Sequence, residues 1–378
     1  MRFLKLDTRQ ISGFDAVLGD EVLTFPAGTF AAIKSLAGSV GWANTIRRVA
    51  RAFGAPDADA YHLVKGNSDR KRIRLPWLFG NPFVMCPYRR IKVGQASLLR
   101  DALELVIEAQ DPETVIIYNG SVAPDAVLAH VTKGRRRVFV EAGFFPKTLQ
   151  IDAIGLNGAN SVPRTSRFYL DAEEDFAARG LPEKVNDRAS KIADNNRVAL
   201  PADYVFVPFQ VPSDMQVTVH SPWVRDMEQF LDVVIEAANR NTNDVFVIKE
   251  HPSFKRSVKG RRPQHQRVIF ANQNVTSDLI RNARAVLTLN STVGIESLLF
   301  DRPVITLGRA CYNVDGLVQQ ARNAPELDDA LAITKTWKPN PRLRRQFLGY
   351  LWNSYLTQGT YDNLPKDLGD RLTQISQM

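Results

Sequence analysis

The chain of 378 residues has only two cysteines, Cys86 and Cys311, and five histidines. With no CxxC pair and no His/Cys cluster, neither a disulfide framework nor a zinc site is expected, and both thiols read as small buried apolar groups. No run approaches the roughly 18 apolar residues needed to cross a bilayer. The start, Met1-Arg2-Phe3-Leu4-Lys5-Leu6-Asp7, lacks the apolar core of a signal peptide. The expected location is therefore the cytoplasm. Internal repeats and low-complexity segments are missing, as are zinc-finger, helix-turn-helix and RNP aromatic patterns, so nucleic acid is not the expected partner.

What is present is a chain with 44% hydrophobic and 24% charged residues, enough for a large core and two domains. A formal net charge of +9 favours an anionic partner: a nucleotide, an acidic glycan or a phospholipid head group. Basic runs at Arg70 to Arg74, Lys133 to Arg137 and Lys255 to Arg262 read as solvated surface. No amphipathic anchor stands out. Peripheral attachment to the inner membrane is an expectation only if the acceptor is lipid-linked.

From Leu99 onward the pattern is α/β. Strands are expected at Val115 to Tyr118, Val138 to Val140, Tyr204 to Pro208, Val245 to Ile248, Ala285 to Leu289 and Val304 to Leu307, with amphipathic helices between them. Lys65 to Arg74 reads as a loop. The acids Asp171 to Asp175, in a polar stretch reaching Arg197, read as the solvated face of a helix. Two Rossmann-like domains follow, 1–198 and 199–378. The helical spacing of Phe347, Leu348, Leu351 and Tyr355 marks a tail, from about 342, that packs back on the first domain.

Two segments carry the chemistry. Val245 to Pro252 is a strand run ending in Lys249-Glu250-His251-Pro252, and Leu287 to Glu296 is an apolar run followed by Asn290-Ser291-Thr292 and a helix start. Carboxyl ends of adjacent strands in an open α/β sheet converge on one crevice, where hydroxyls, free backbone N–H groups and a histidine can hold a phosphate. A turn for His251-Pro252 and an ordinary cap for Ser291 or Thr292 are the structural alternatives. Glu296 lies outside capping-box spacing and suits ribose hydroxyls. Asn119-Gly120 and Glu141-Ala142-Gly143 fall just beyond strand ends in the other half.

These segments, in order, resemble the capsular polysaccharide biosynthesis proteins that include the bacterial retaining β-Kdo transferases. The resemblance rests on Tyr118-Asn119-Gly120, Val140 to Pro146, Asp152 to Asn157 with Ser161 and Pro163-Arg164, Val207 to Asp214, His251-Pro252, Asn290 to Glu296, and Pro303 to Leu317, about half of the chain. It implies a GT-B-like pair of Rossmann-like domains facing across a cleft, with acceptor bound by the first and CMP-Kdo by the second. It implies metal-independent transfer with no cofactor, in keeping with the lack of an Asp-x-Asp motif beside a strand. Asp214 matches the position of the nucleophile, and retention then follows from two inversions through a covalent intermediate. Glu141 is the general base, and His251, with Ser291 and Thr292, stabilises the departing phosphate. Lys249, Pro252, Asn290, Glu296, Tyr312 and Gln210 complete the donor side. Asn119, Gly120, Asn157 and Arg164 shape the acceptor side, Arg164 as a partner for a sugar carboxylate. A UDP-sugar epimerase of the same fold and a non-catalytic adaptor for polyanions are the competing classes.

Overall fold

A computed structural model describes residues 1–55, 57–183, 197–254 and 256–377. The fold is α/β, with two compact units that each hold a six-stranded sheet. In the first unit, β1 (Phe3–Leu6), β2 (Val22–Phe25), β3 (Thr114–Tyr118) and β4 (Arg137–Ala142) run parallel, and β5 (Thr148–Asp152) joins β4 antiparallel. In the second unit β6 (Val205–Pro208), β7 (Phe246–Lys249), β8 (Val268–Phe270), β9 (Ala285–Thr288), β10 (Val304–Thr306) and β11 (Gln319–Gln320) are all parallel. β12 (Thr357–Gln358) returns to the first sheet and pairs with β5.

The second sheet has the order β11-β10-β9-β6-β7-β8. In chain terms that is 6-5-4-1-2-3, the doubly wound order whose switch point lies between the first and fourth strands, here β6 and β9. β1, β6, β7 and β9 are buried at every position. Such continuous burial is what helices on both faces of a parallel sheet produce. The amphipathic helix Met227–Arg240 buries Phe230, Leu231 and Val234 on this sheet, as its spacing predicts.

Four expectations change. The compact units do not part at 198. The first comprises 1–143, 147–156 and 357–378; the second comprises 144–146 and 157–356. After the antiparallel β5 the chain leaves the first sheet, and Phe168, Tyr169 and Phe176 pack with Phe347 and Tyr350 within the second unit. The same aromatic cluster keeps the helix Pro341–Tyr350 in the second unit, so the return begins at Thr357 rather than near 342. Lys65 to Arg74 is helical, the end of Ala58–Arg74. Ala60, Val64 and Ser68 form its buried stripe, too small and too polar to register as an apolar period. The acids from Asp171 lie beyond the helix Ser166–Leu170, not on one; Asp175 pairs with Arg345 at 2.9 Å. Residues 184–196 of that polar stretch, and Lys255 of the third basic run, lie outside the described residues.

Candidate active site

β6, β7 and β9 end side by side at the switch point, and the loops that leave them line one open pocket. Pro208 and Phe209 come from β6, Lys249 to Pro252 from β7, and Ser291, Thr292, Val293 and Glu296 from β9. Of the His-Pro and Asn-Ser-Thr segments expected to share a crevice, His251, Pro252, Ser291 and Thr292 line this pocket and Asn290 does not. Each loop is fixed locally. The Ser291 hydroxyl accepts from the Val293 N–H at 3.2 Å, while its carbonyl accepts from the Tyr312 hydroxyl at 2.6 Å. Thr292 precedes the helix Val293–Leu299 without a side-chain cap bond. Glu296 is 3% exposed yet lines the pocket.

The His251 loop is held from below by Glu250, which sequence reading passed over. Its buried carboxylate accepts from Ser257 Oγ at 2.6 Å, the Val258 N–H at 2.6 Å and Asn272 Nδ2 at 2.8 Å. Three donors to one carboxylate tie Ser257, Val258 and Asn272 to Glu250 and so anchor the start of the His251 loop. Within it His251 Nδ1 accepts from the Ser253 N–H at 3.2 Å. Lys249 donates from Nζ to the Asn274 carbonyl.

Four expected ligands have structural partners instead. Asn290 is 2% exposed; its Nδ2 donates to the carbonyls of Gln216 at 2.8 Å and His220 at 3.3 Å, and its Oδ1 accepts from Gln210 Nε2 at 3.0 Å. Gln210 Oε1 in turn accepts from the Asn290 N–H at 3.4 Å. These two side chains tie β6 to β9 rather than reaching a donor sugar. Tyr312 is 1% exposed, so neither ring face is open to a base. A Cβ on Gly294 would lie 2.4 Å from its hydroxyl, so the glycine is what lets that phenol reach the Ser291 carbonyl. Arg164 directs its guanidinium to the carbonyls of Gly158, Asn160 and Val162 and to Asn160 Oδ1, which closes its own loop and leaves no fork for a carboxylate.

Asp214 is exposed and caps the helix Met215–Thr218, accepting the Gln216 N–H at Oδ1, 3.0 Å away. It does not line the pocket. In the first unit Glu141 is half-buried at the end of β4, opposite Gln150, and its charge raises the pKa values of Tyr118 and Tyr361 after the larger effect of their burial. Asn119 and Gly120 make a left-handed turn beyond β3, with φ of 58° and 73°, and Asn119 Oδ1 accepts from the Ser121 N–H at 3.2 Å. Asn157 and Arg164 belong to the second unit, not to the first as expected, because the chain has already left the first sheet after Leu156.

His220 is a residue the sequence reading missed; a lone histidine with no flanking motif gives no signal. It is 8% exposed and its Nε2 has no hydrogen-bond partner. Burial, then the Arg309 cation, lowers its pKa below the usual 6.5, with Asp214 opposing and Arg164 adding to the decrease. The folded state therefore binds fewer protons than the unfolded chain as pH falls below 6.5, and stability declines over that interval. His220→Gln should flatten this loss in urea titrations run between about pH 7 and 5; an unchanged slope would assign it to other groups.

Comparison with known proteins gives a consistent family. The pattern described as capsule polysaccharide biosynthesis protein matches residues 175–361. Protein FixF of Sinorhizobium fredii is 50% identical over 378 residues, 100% of this chain and 93% of that protein. The capsule polysaccharide export protein KpsS of Escherichia coli is 27% identical over 163 residues, 39% of either chain. Among solved structures, the beta Kdo 2,4 transferase of Thermosulfurimonas dismutans KpsC is 17% identical with a TM-score of 0.47, covering 69% of this chain and 87% of that one. Likeness at that level assigns neither substrate nor mechanism.

Proposed function

The chain belongs to the capsule polysaccharide biosynthesis protein family, and from that premise we propose that it is a retaining glycosyltransferase that moves Kdo, or a related 2-keto sugar acid, from its CMP donor to a glycan or glycolipid acceptor. The observation that carries this reading is the pocket at the β6/β9 switch point, where a histidine, two hydroxyls and a buried glutamate meet at strand ends. His251, Ser291 and Thr292 are assigned to the phosphate and Glu296 to the ribose, with Lys249 and Pro252 completing the wall.

In the proposed reaction the Asp214 carboxylate attacks the anomeric carbon, and the bond to CMP breaks with its electron pair leaving on the phosphate oxygen. Glu141 then takes the proton of the acceptor hydroxyl, whose oxygen attacks the same carbon and releases Asp214. Two inversions give net retention. Asn119 and Gly120 are assigned to the acceptor side. Asn290, Gln210, Tyr312 and Arg164 drop out of direct recognition because their polar groups are already paired, and Asn157 is not carried forward.

A thermal-shift comparison of CMP, UDP, GDP and a short DNA tests the reading. CMP at a hundredfold excess over its Kd should stabilise by about 2.7 kcal/mol, a rise of roughly 5–10 °C in Tm. A response to UDP alone would replace the transferase by an epimerase. A response to DNA alone would reduce the pocket to turn and cap residues.

A further inference from the structure

The net positive charge of this chain resides in one stretch. Residues 22–100 carry 13 Lys and Arg against Asp57, Asp59 and Asp69, a net +10, whereas the whole chain carries +9, so the other residues together stand at −1. Within it, residues 70–100 hold eight Lys and Arg and no acid at all. A sequence of that charge would ordinarily keep its apolar groups inside.

It does not. The helix Ala58–Arg74 runs into the short helix Pro76–Phe79 and then into the long helix Pro82–Gln110. At this corner Trp77 is 77% exposed and Phe83 is 90% exposed. Beyond Phe83 the long helix keeps one face open at positions 83, 86, 87, 90 and 91, the i, i+3, i+4, i+7 and i+8 stripe. Its residues are Phe83, Cys86, Pro87, Arg90 and Ile91. Cys86, expected to be buried, is exposed on this stripe. Arg90 turns its guanidinium to the Phe53 and Gly54 carbonyls at 3.2 and 3.1 Å, so the stripe is more apolar than its sequence suggests.

The corner is held in place from inside. The Lys71 ammonium lies 5.6 Å from the Phe79 ring centroid, and Phe79 meets Tyr88 edge to face at 5.1 Å. Asn81 caps the long helix by accepting the Phe83 N–H at 2.9 Å. Arg72 and Arg74 are exposed at the end of the preceding helix. A packed corner thus projects an indole, a phenyl and an aliphatic stripe beside cations, in a stretch whose own sequence from 70 to 100 holds no acid.

We infer that the corner formed by residues 71–91 is a docking surface for an anionic lipid bilayer. Cations near such a surface are attracted by its negative potential, while Trp77 and Phe83 enter the region between head groups and acyl chains. Charge complementarity selects an anionic partner. The aliphatic Leu75 and Ile91, 37% and 52% exposed, favour lipid over nucleic acid, because a base stacks on rings and not on branched side chains. Among the described residues no helix is long and apolar enough to cross a membrane, so the attachment is peripheral. No anchor is visible in the sequence because the apolar groups come from two helices and from Leu75, which joins them to the preceding one, and not from a single helix.

Flotation of the full chain with vesicles tests this, and it reads no transfer, so its outcome is independent of the proposed activity. Binding is expected to mixed phosphatidylcholine and phosphatidylglycerol vesicles, with little to phosphatidylcholine alone. Removing cations as R72A/R74A should lower the partition about fivefold for each, and W77S/F83S about tenfold for each ring. In the unaltered protein, brominated phosphatidylglycerol vesicles should quench tryptophan fluorescence, and W77F should remove the quenching. No binding to anionic vesicles, or binding unchanged in both double variants, overturns the inference. So does DNA binding without vesicle binding, or a dimer dissolved by W77S/F83S in a protein that ignores vesicles.

Discussion

Asp214→Asn is expected to lower transfer from CMP-Kdo by roughly a factor of 10⁴ or more, as removal of a covalent nucleophile does elsewhere, while CMP still raises the melting temperature. Asn is the informative replacement. Asp214 also caps the helix Met215–Thr218 through the Gln216 N–H, and Asn caps about as well as Asp, whereas Ala would forfeit about 1 kcal/mol and confuse a folding defect with a chemical one. The companion variant is Glu141→Gln. With the acceptor hydroxyl no longer deprotonated, the glycosyl ester on Asp214 should accumulate and appear in intact-mass spectra as one added sugar residue. Full transfer by the Asn variant would remove Asp214 from the mechanism. A Gln variant that is inactive yet never shows the adduct would remove the two-step route.

Six strands, β3, β4, β6, β7, β9 and β10, were legible because they read as unbroken apolar runs such as Val205-Phe206-Val207, whereas β1, buried at every position but interrupted by Lys5, and the short β2, β5, β8, β11 and β12 were not. The pocket was legible for a related reason. In a doubly wound sheet, whatever follows those runs at the switch point is forced together, so His251 and Ser291 could be paired from forty residues apart. The parts that resisted reading depend on partners that sequence spacing does not encode. The helix Ala58–Arg74 buries only small groups. Arg164 has the fork that suits a carboxylate, but its nearest acceptors are the carbonyls of its own loop. Glu250 looks like an ordinary strand-end acid until three donors are found around it.

Asn290 is the sharpest case, because a ligand and a buried strand tie carry the same amide. Asn290→Ala would remove two donors and one acceptor from a position 2% exposed, leaving the Gln216 carbonyl and the Gln210 amide unpaired; the His220 carbonyl keeps the Arg309 N–H at 2.8 Å. At about 1–3 kcal/mol for each buried group left without a partner, the expected loss is roughly 4 kcal/mol. For a unit of about 200 residues that corresponds to a fall of roughly 10 °C in Tm. The CMP affinity of the molecules that remain folded should stay within about twofold, since the amide never faces the ligand. Ser291→Ala should show the opposite pattern. It removes a single bond to the Val293 N–H, about 1 kcal/mol, but takes a hydroxyl from the pocket wall and should weaken CMP binding about tenfold. Measuring Tm and CMP affinity on both variants separates a strand tie from a ligand at adjacent positions. If Asn290→Ala held its Tm and lost CMP, the hydrogen bonds joining β6 to β9 would be incidental, and recognition would extend beneath the pocket floor.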